Sequence, residues 1–358
     1  MPRPFILVPA VLAIIAAAVT ADMAGRAGSR PDRAQWEACG AHRTFGSGGS
    51  KVDPAAVIVA CSAIIQAGNA AGPGLPGAHY YRGRAYFWMS RFDRAIEDID
   101  ATIRLKPNSA AAFFLRGRTY HGMGRFDQAI ADLGEAIRLR PDDPAIYDER
   151  ARAYGQQDRH DLAILDYDQV VRLDPNDDDA LNNRADVHLR MRNYDLAIAD
   201  YSEVIRREPD WINFYNRGVT YEMANQYDRA FDDYNQTIRL APEYYMAWSG
   251  RCFMRAILGQ LADALIDCEA ALRLAPNQPA PLASRGFTYL KMGKADLAIA
   301  DFDAATDIHP RHAYALYGRG LAKHRLGDIT GAEADLTAAK SIDADVATTY
   351  ATYGLPAP

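Results

Sequence analysis

Residues 110–141 read AAAFFLRGRTYHGMGRFDQAIADLGEAIRLRP, a helix–turn–helix pattern that stops at Pro141. Proline has no N–H to donate and clashes with the turn before it, so it ends one helix, and an Asn or Asp following it can cap the next. The same stop recurs every 34 residues at Pro73, Pro107, Pro141 and Pro175, then at Pro209, Pro242, Pro276 and Pro310 with a single one-residue slip. A period of this length predicts stacked two-helix repeats, none of which can bury its apolar face alone. Eight regular repeats are expected, ending near Pro107, Pro141, Pro175, Pro209, Pro242, Pro276, Pro310 and, without proline, Ala344. The slip falls at Asp210-Trp211, in the leading turn of the repeat that ends at Pro242.

Two further recurrences ride on this period. Small residues at Gly83, Gly117, Ala151, Ala185, Gly218, Gly286 and Gly320 on first helices match Ala95, Ala129, Ala163, Ala197, Ala230, Ala264, Ala298 and Ala332 on second helices. Helix axes approach closely only over small side chains, so these positions mark the crossing point within each repeat. Immediately before the small position stands an arginine, at Arg82, Arg116, Arg150, Arg184, Arg217, Arg251, Arg285 and Arg319. Sixteen residues later stands an aspartate, at Asp98, Asp132, Asp166, Asp200, Asp233, Asp267, Asp301 and Asp335. We expect a ladder of Arg–Asp pairs, formed within a repeat or to the next one. The planar guanidinium can bind a carboxylate bidentately while its stem packs on apolar surface. An anion-binding arginine stripe is the alternative, and the unfailing aspartate favours the ladder.

With these positions in place the chain resembles the tetratricopeptide repeat family, from about Asp53 to Ala344. The repeat quoted above carries the resemblance most closely, through Phe113, Gly117, Tyr120, Gly124, Ala129, Ala136 and Pro141. The arginine before the small residue departs from the family, which usually has an apolar residue there. The resemblance implies an all-α fold, a right-handed α-solenoid of about eight repeats with a degenerate leading repeat and a short C-terminal capping helix. The expected organisation is a signal peptide or N-terminal anchor over 1–21, a flexible or divergent segment over 22–52, the degenerate repeat over 53–75, and the solenoid over 76–344. Residues 345–358 complete it as a closing helix, Val346 to Tyr353, followed by a frayed end. The degenerate repeat keeps an apolar second helix with Val57, Ile58, Cys61, Ile64 and Ile65, whereas its first helix, near Trp36 to Cys39, has lost the pattern.

Whole-chain properties narrow the function. A formal net charge of −6 over 358 residues argues against a nucleic-acid-binding surface, which needs clustered positive charge. Arg3, the apolar run Phe5 to Val19 and Ala21 fit a cleaved secretory leader and fall short of the ~20 residues needed to span a bilayer. An uncleaved anchor is the alternative. We therefore expect an exported protein, periplasmic or extracellular, or one anchored in the inner membrane. In an exported chain the four cysteines favour disulfides over metal sites, as Cys39–Cys61 and Cys252–Cys268. Cys252 stands at the small crossing position and Cys268 at the large position facing it, so a bond there would staple one helical hairpin, worth ~3 kcal/mol in the chain-entropy model. Two buried thiols are the alternative for this second pair.

Resemblance to the family implies that first helices line a groove holding extended or helical peptide segments. Its groove offsets fall on Tyr80, Arg84, Phe87 and Trp88, then Phe114, Arg118 and His121, then Asp148, Arg152 and Gln156, and on Asn182, Tyr215, Glu222, Phe253, Phe287, Tyr314 and Tyr317. Arg84, Arg118 and Arg152 form a basic stripe among aromatics, whose natural complement is an acidic segment. Phe253 and Phe287 mark an apolar stretch suited to hydrophobic anchors. Family members that clamp the C-terminal carboxylate of chaperones use Lys and Asn where Tyr80 and Arg84 stand, which disfavours that partner. No catalytic constellation can be nominated: His309 and His312 lack the i, i+4 spacing of a helical metal motif, and Gly46-Ser47-Gly48-Gly49-Ser50-Lys51 lacks the Gly before Lys of a phosphate loop. The expectation is a monomeric, non-enzymatic protein-binding module without a cofactor. An envelope-anchored scaffold and a regulatory subunit of an enzyme are the alternatives.

Overall fold

The structure is a computed structural model and describes residues 31, 33–40, 53–67 and 74–358. The apolar N-terminal run, the glycine cluster before Lys51 and Pro73 lie outside these. Among the described residues every regular element is a helix, nineteen in all. The chain divides into an N-terminal body ending at Pro175 and a C-terminal body starting at Asn176.

In the N-terminal body α1 (Arg33–Gly40) and α2 (Pro54–Gln66) form the leading repeat, so the divergent segment contains a short helix. Three regular repeats follow: α3 (Leu75–Trp88) with α4 (Phe92–Leu105), α5 (Ala110–Gly122) with α6 (Phe126–Leu139), and α7 (Pro144–Gln156) with α8 (His160–Leu173). The C-terminal body holds five: α9 (Asp178–Arg190) with α10 (Tyr194–Arg207), α11 (Trp211–Met223) with α12 (Tyr227–Leu240), α13 (Tyr245–Ile257) with α14 (Leu261–Leu274), α15 (Pro279–Lys291) with α16 (Ala295–Ile308), and α17 (Ala313–Arg325) with α18 (Ile329–Ile342). A last helix, α19, spans Val346–Thr352. The one-residue slip is absorbed outside the helices: Glu208–Asp210 joins α10 to α11, where Ala241–Tyr244 joins α12 to α13.

Local chemistry sets both ends of each helix pair. Asp53, Ser109, Asp143, Asp177 and Asp210 cap following helices by accepting a backbone N–H, which satisfies donors the first turn leaves open. Between the two helices the chain passes through the left-handed region, at Gly124, Gly259, Gly293 and Gly327 but also at Ser90, Asp158, Arg192 and Asn225. At the crossing point a Cβ on Gly117 would come 2.7 Å from Leu133 Cγ, so only glycine admits this contact.

All eight expected ladder pairs form within their repeats. Each arginine donates from Nε and Nη2 to the two carboxylate oxygens of the aspartate sixteen residues on, at 2.6–2.9 Å. The remaining Nη1 reaches the preceding repeat at several rungs. Arg116 donates to Asp100, Arg319 to Asp303, Arg251 to Asn235, Arg217 to Ser202 and Arg82 to Ser62. One guanidinium thus ties two helices of its own repeat and a third from its neighbour. The aspartates are buried. Burial alone would raise Asp98, but hydrogen bonds from Arg82 and His79 outweigh it and hold the carboxyl below its ordinary value. At Asp233 burial prevails over Arg217 and the carboxyl is pushed up.

The two cysteine pairs lie at bonding distance, with Cα atoms 4.8 Å apart for Cys39–Cys61 and 5.3 Å for Cys252–Cys268. The first joins α1 to α2. The second occupies the place where Gly286 meets Phe302 in the next repeat, replacing a glycine–aromatic contact by a covalent one.

Replacing Arg217 by Met is expected to cost about 3 kcal/mol in denaturant unfolding, because Asp233 is left buried without its partner. The double variant Arg217→Met, Asp233→Leu should recover most of that loss, and an unaltered midpoint for the single variant would count against the ladder. The stabilising part of Asp98 is complete above the ordinary value of 3.8 and is lost as pH falls through its lower folded value. Asp98→Asn should therefore flatten the acid branch of a stability–pH curve below about pH 4. Cys252→Ala with Cys268→Ala should lower stability by about 3 kcal/mol, and no free thiol should be alkylated in the unreduced protein.

Candidate functional site

In the N-terminal body the first helices α3, α5 and α7 bring the expected aromatic and basic residues onto one face. The Arg118 guanidinium lies 5.2 Å from the Phe87 ring centre and 5.7 Å from that of Phe114, within cation–π range. Tyr80 is half-buried near Arg84, and its phenol is raised chiefly by burial. Trp88 closes α3 with 43% of its surface exposed and packs edge-on against Phe87 at 6.2 Å.

The basic stripe carries partners of its own. Arg118 Nε stands 3.4 Å from Glu149 Oε2, and Arg152 Nη2 stands 2.8 Å from Asp148 Oδ2. His121 Nδ1 donates to the other Glu149 oxygen at 2.5 Å. Burial would raise Glu149, but the His121 hydrogen bond and the charges of Arg118 and Arg152 outweigh it and hold the carboxyl low. Glu149 was missed from sequence. Its signal lies in the position just before the ladder arginine, which runs Tyr81, Leu115, Glu149, Asn183, Asn216, Gly250, Ser284, Gly318.

That series also shapes the C-terminal body, where the last three members are small. Ser249 and Ser284 hydroxyls come within 3.2 Å across α13 and α15, and a Cβ on Gly250 would meet the Tyr234 ring. First helices here pack close to one another, and the chain end packs against them. Tyr350 donates from its hydroxyl to the Tyr314 carbonyl at 2.8 Å, and Lys291 Nζ donates to the Tyr353 carbonyl at 2.9 Å. Tyr353 also packs on Phe253 and Phe287, at 5.2 and 5.8 Å.

This arrangement corrects two groove assignments. Phe287 is 2% exposed and Tyr317 fully buried, because Tyr350 packs on both, at 5.8 and 4.8 Å. They are core residues beneath the chain end. The expected fray also begins later, since Tyr353 and Leu355 are buried. Phe253 and Tyr215 remain half-buried, Tyr215 against Tyr234 and Tyr244. Asn182 is half-buried too, and its Oδ1 has no hydrogen-bond partner among the described residues.

Between the first helices and the chain end lies a cavity of about 620 Å³. Its wall includes Glu222 from α11, Phe253 from α13, Tyr314 from α17, and Tyr350 and Tyr353 from the tail. A smaller recess of about 250 Å³ reaches Glu222 from the side of Tyr215 and Met246. Burial pushes the Glu222 carboxyl up to about 7, against a lowering hydrogen bond from Tyr234. No group of three or more His, Cys, Asp or Glu among the described residues is arranged to hold a metal ion. No helix among them is long and apolar enough to cross a membrane.

Family models described as tetratricopeptide repeat match residues 83–153, 144–177, 182–245, 216–279 and 285–347. None of the curated proteins matches the sequence. Among solved structures, a tetratricopeptide repeat protein from Parabacteroides merdae is 18% identical with a TM-score of 0.52, the match covering 69% of this chain and 98% of that one. The C-terminal part of a repeat-containing protein from Cytophaga hutchinsonii is 20% identical with a TM-score of 0.55, covering 67% of this chain and 98% of that one. Both likenesses concern the fold. The repeated matches, with paired helices and small residues at the crossing of every repeat, place the chain in the tetratricopeptide repeat family.

Proposed function

We propose that the protein binds a segment of another protein along its first-helix faces and performs no chemistry of its own. The observation that carries this reading is the Trp88 cluster. The ladder arginines and crossing residues are consumed by the fold, whereas Trp88 is exposed at the end of α3 beside half-buried Phe87, Phe114 and Arg118. An exposed tryptophan beside arginine is a usual component of a binding hot spot. Arg84, Arg118 and Arg152 favour a segment with acidic side chains, and such a segment competes with Glu149 for Arg118 and with Asp148 for Arg152. Aromatic burial therefore supplies most of the affinity, with charge fixing register.

The two cysteine pairs at bonding distance and the apolar run Phe5 to Val19 support residence in an oxidising, exported compartment. The same run favours a second reading, an envelope scaffold held by its uncleaved N-terminus. Regulation of a single enzyme partner is a special case of the first.

Trp88→Ala with Phe114→Ala should weaken capture of the partner from a native envelope fraction by roughly thirtyfold, a hot-spot loss of about 2 kcal/mol, with helicity unchanged. Undiminished capture would remove this face from the binding site. N-terminal sequencing of the exported protein should begin near residue 22, and an intact Met1 in the membrane fraction would favour the scaffold.

A further inference from the structure

Every ladder aspartate is matched by a guanidinium, whereas Glu222 is a half-buried carboxyl matched by none among the described residues. Its hydrogen bond comes from the Tyr234 hydroxyl at 2.6 Å, and among the described residues no cation contributes to its ionisation. Arg192 stands at the cavity wall, but it is 75% exposed and lies 3.9 Å from Asp345. Leaving a carboxylate in such a place without a counter-charge is costly.

The surroundings specify what would offset that cost. Aromatic rings from Tyr194, Phe253, Tyr314, Tyr350 and Tyr353 wall the cavity, and Asp343 and Asp345 add carboxylates at its chain-end side. Ring faces carry partial negative charge and attract organic cations. An anionic ligand would meet three carboxyl groups against one guanidinium. A wholly apolar one would leave Glu222 unmatched.

We propose that this cavity receives the cationic end of a lysine or arginine side chain from a bound partner segment, with Glu222 as its counter-ion. The segment as source rests on the first-helix binding reading; the preference for a cation does not. The volume suits a side chain with part of its flanking backbone, within the ~300–1,000 Å³ of ordinary ligand sites.

Ionisation links binding to pH. With its carboxyl raised to about 7, Glu222 is about half protonated in the empty site at neutrality, and a bound cation favours the ionised form, so binding releases a proton. Affinity falls as pH drops below that value. The groups facing Glu222 are the phenols of Tyr215, Tyr234, Tyr314 and Tyr353, raised chiefly by burial and therefore neutral. His312, held low by burial and by His309, is neutral near pH 7. Arg192, Asp343 and Asp345 complete the charged set.

The test uses the full chain and three probes: acetyl-Gly-Gly-Lys-Gly-Gly-amide, the same peptide with norleucine for lysine, and n-butylammonium chloride. Titration calorimetry at about pH 6 and about pH 8 reads affinity and proton release. The lysine peptide should bind about tenfold tighter than its norleucine counterpart, with the preference larger at the higher pH. Glu222→Gln, which keeps an acceptor for Tyr234, should abolish both the preference and the proton release. Tyr314→Leu, on the exposed part of the wall, should weaken the preference without touching Glu222. Equal binding of the two peptides, or a preference that survives Glu222→Gln, overturns the proposal. Binding of n-butylammonium without the lysine peptide overturns the partner segment as source and leaves the Trp88 face to be judged separately.

Discussion

The bidentate arginine–aspartate pair is the interaction on which the rest depends. A two-helix repeat must hold its helices at close range over glycine or alanine, which provide little packing of their own. The guanidinium supplies the missing hold by gripping the second helix with two donors and, at several rungs, the preceding repeat with its third. The arrangement is exacting because the aspartates are buried. Where arginine and a further donor prevail, as at Asp98, the carboxyl is held below its ordinary value, and where burial prevails, as at Asp233, it is pushed above it. The rungs are thus chemically alike but unequal in their contribution.

Because those positions are committed to the fold, variation is confined to the other faces of the helices. On first helices the residue just before the ladder arginine changes from Tyr81 through Glu149 to Gly250 and Gly318. In the N-terminal body this leaves room for Glu149 to gather Arg118 and His121. In the C-terminal body small residues let first helices approach, and the chain end packs into the space they line. A repeat fold built from near-identical parts thereby gains two dissimilar surfaces, an open aromatic face around Trp88 and an aromatic-walled cavity around Glu222.

The architecture was legible in the sequence because each signal was repeated in register: prolines at the stops, small residues at the crossings, Arg and Asp sixteen apart, cysteines standing at paired positions. What stayed hidden depends on contacts between repeats that no single period encodes. Phe287 and Tyr317 fell at groove offsets, yet Tyr350 covers both, and nothing in one repeat says where a chain end packs. Glu149 is one carboxylate among many in the sequence, and what singles it out is the bond from His121 of the preceding repeat. Glu222 fell at a groove offset like many others, and its singular property, a cation it lacks, depends on what the other repeats bring near it. The apolar Leu165, Leu196, Ile266 and Leu297 are exposed on second helices and offer a competing surface that sequence offsets do not rank against the first-helix face.

Covalent side-chain footprinting of the full chain with and without its captured partner tests the central claim, that fold positions are uniform and binding positions lie on first helices. The account predicts loss of labelling at Trp88, Phe114 and Tyr314, with Leu165, Leu196, Ile266 and Leu297 labelled as before. Protection of those second-helix residues with Trp88 unchanged would contradict it.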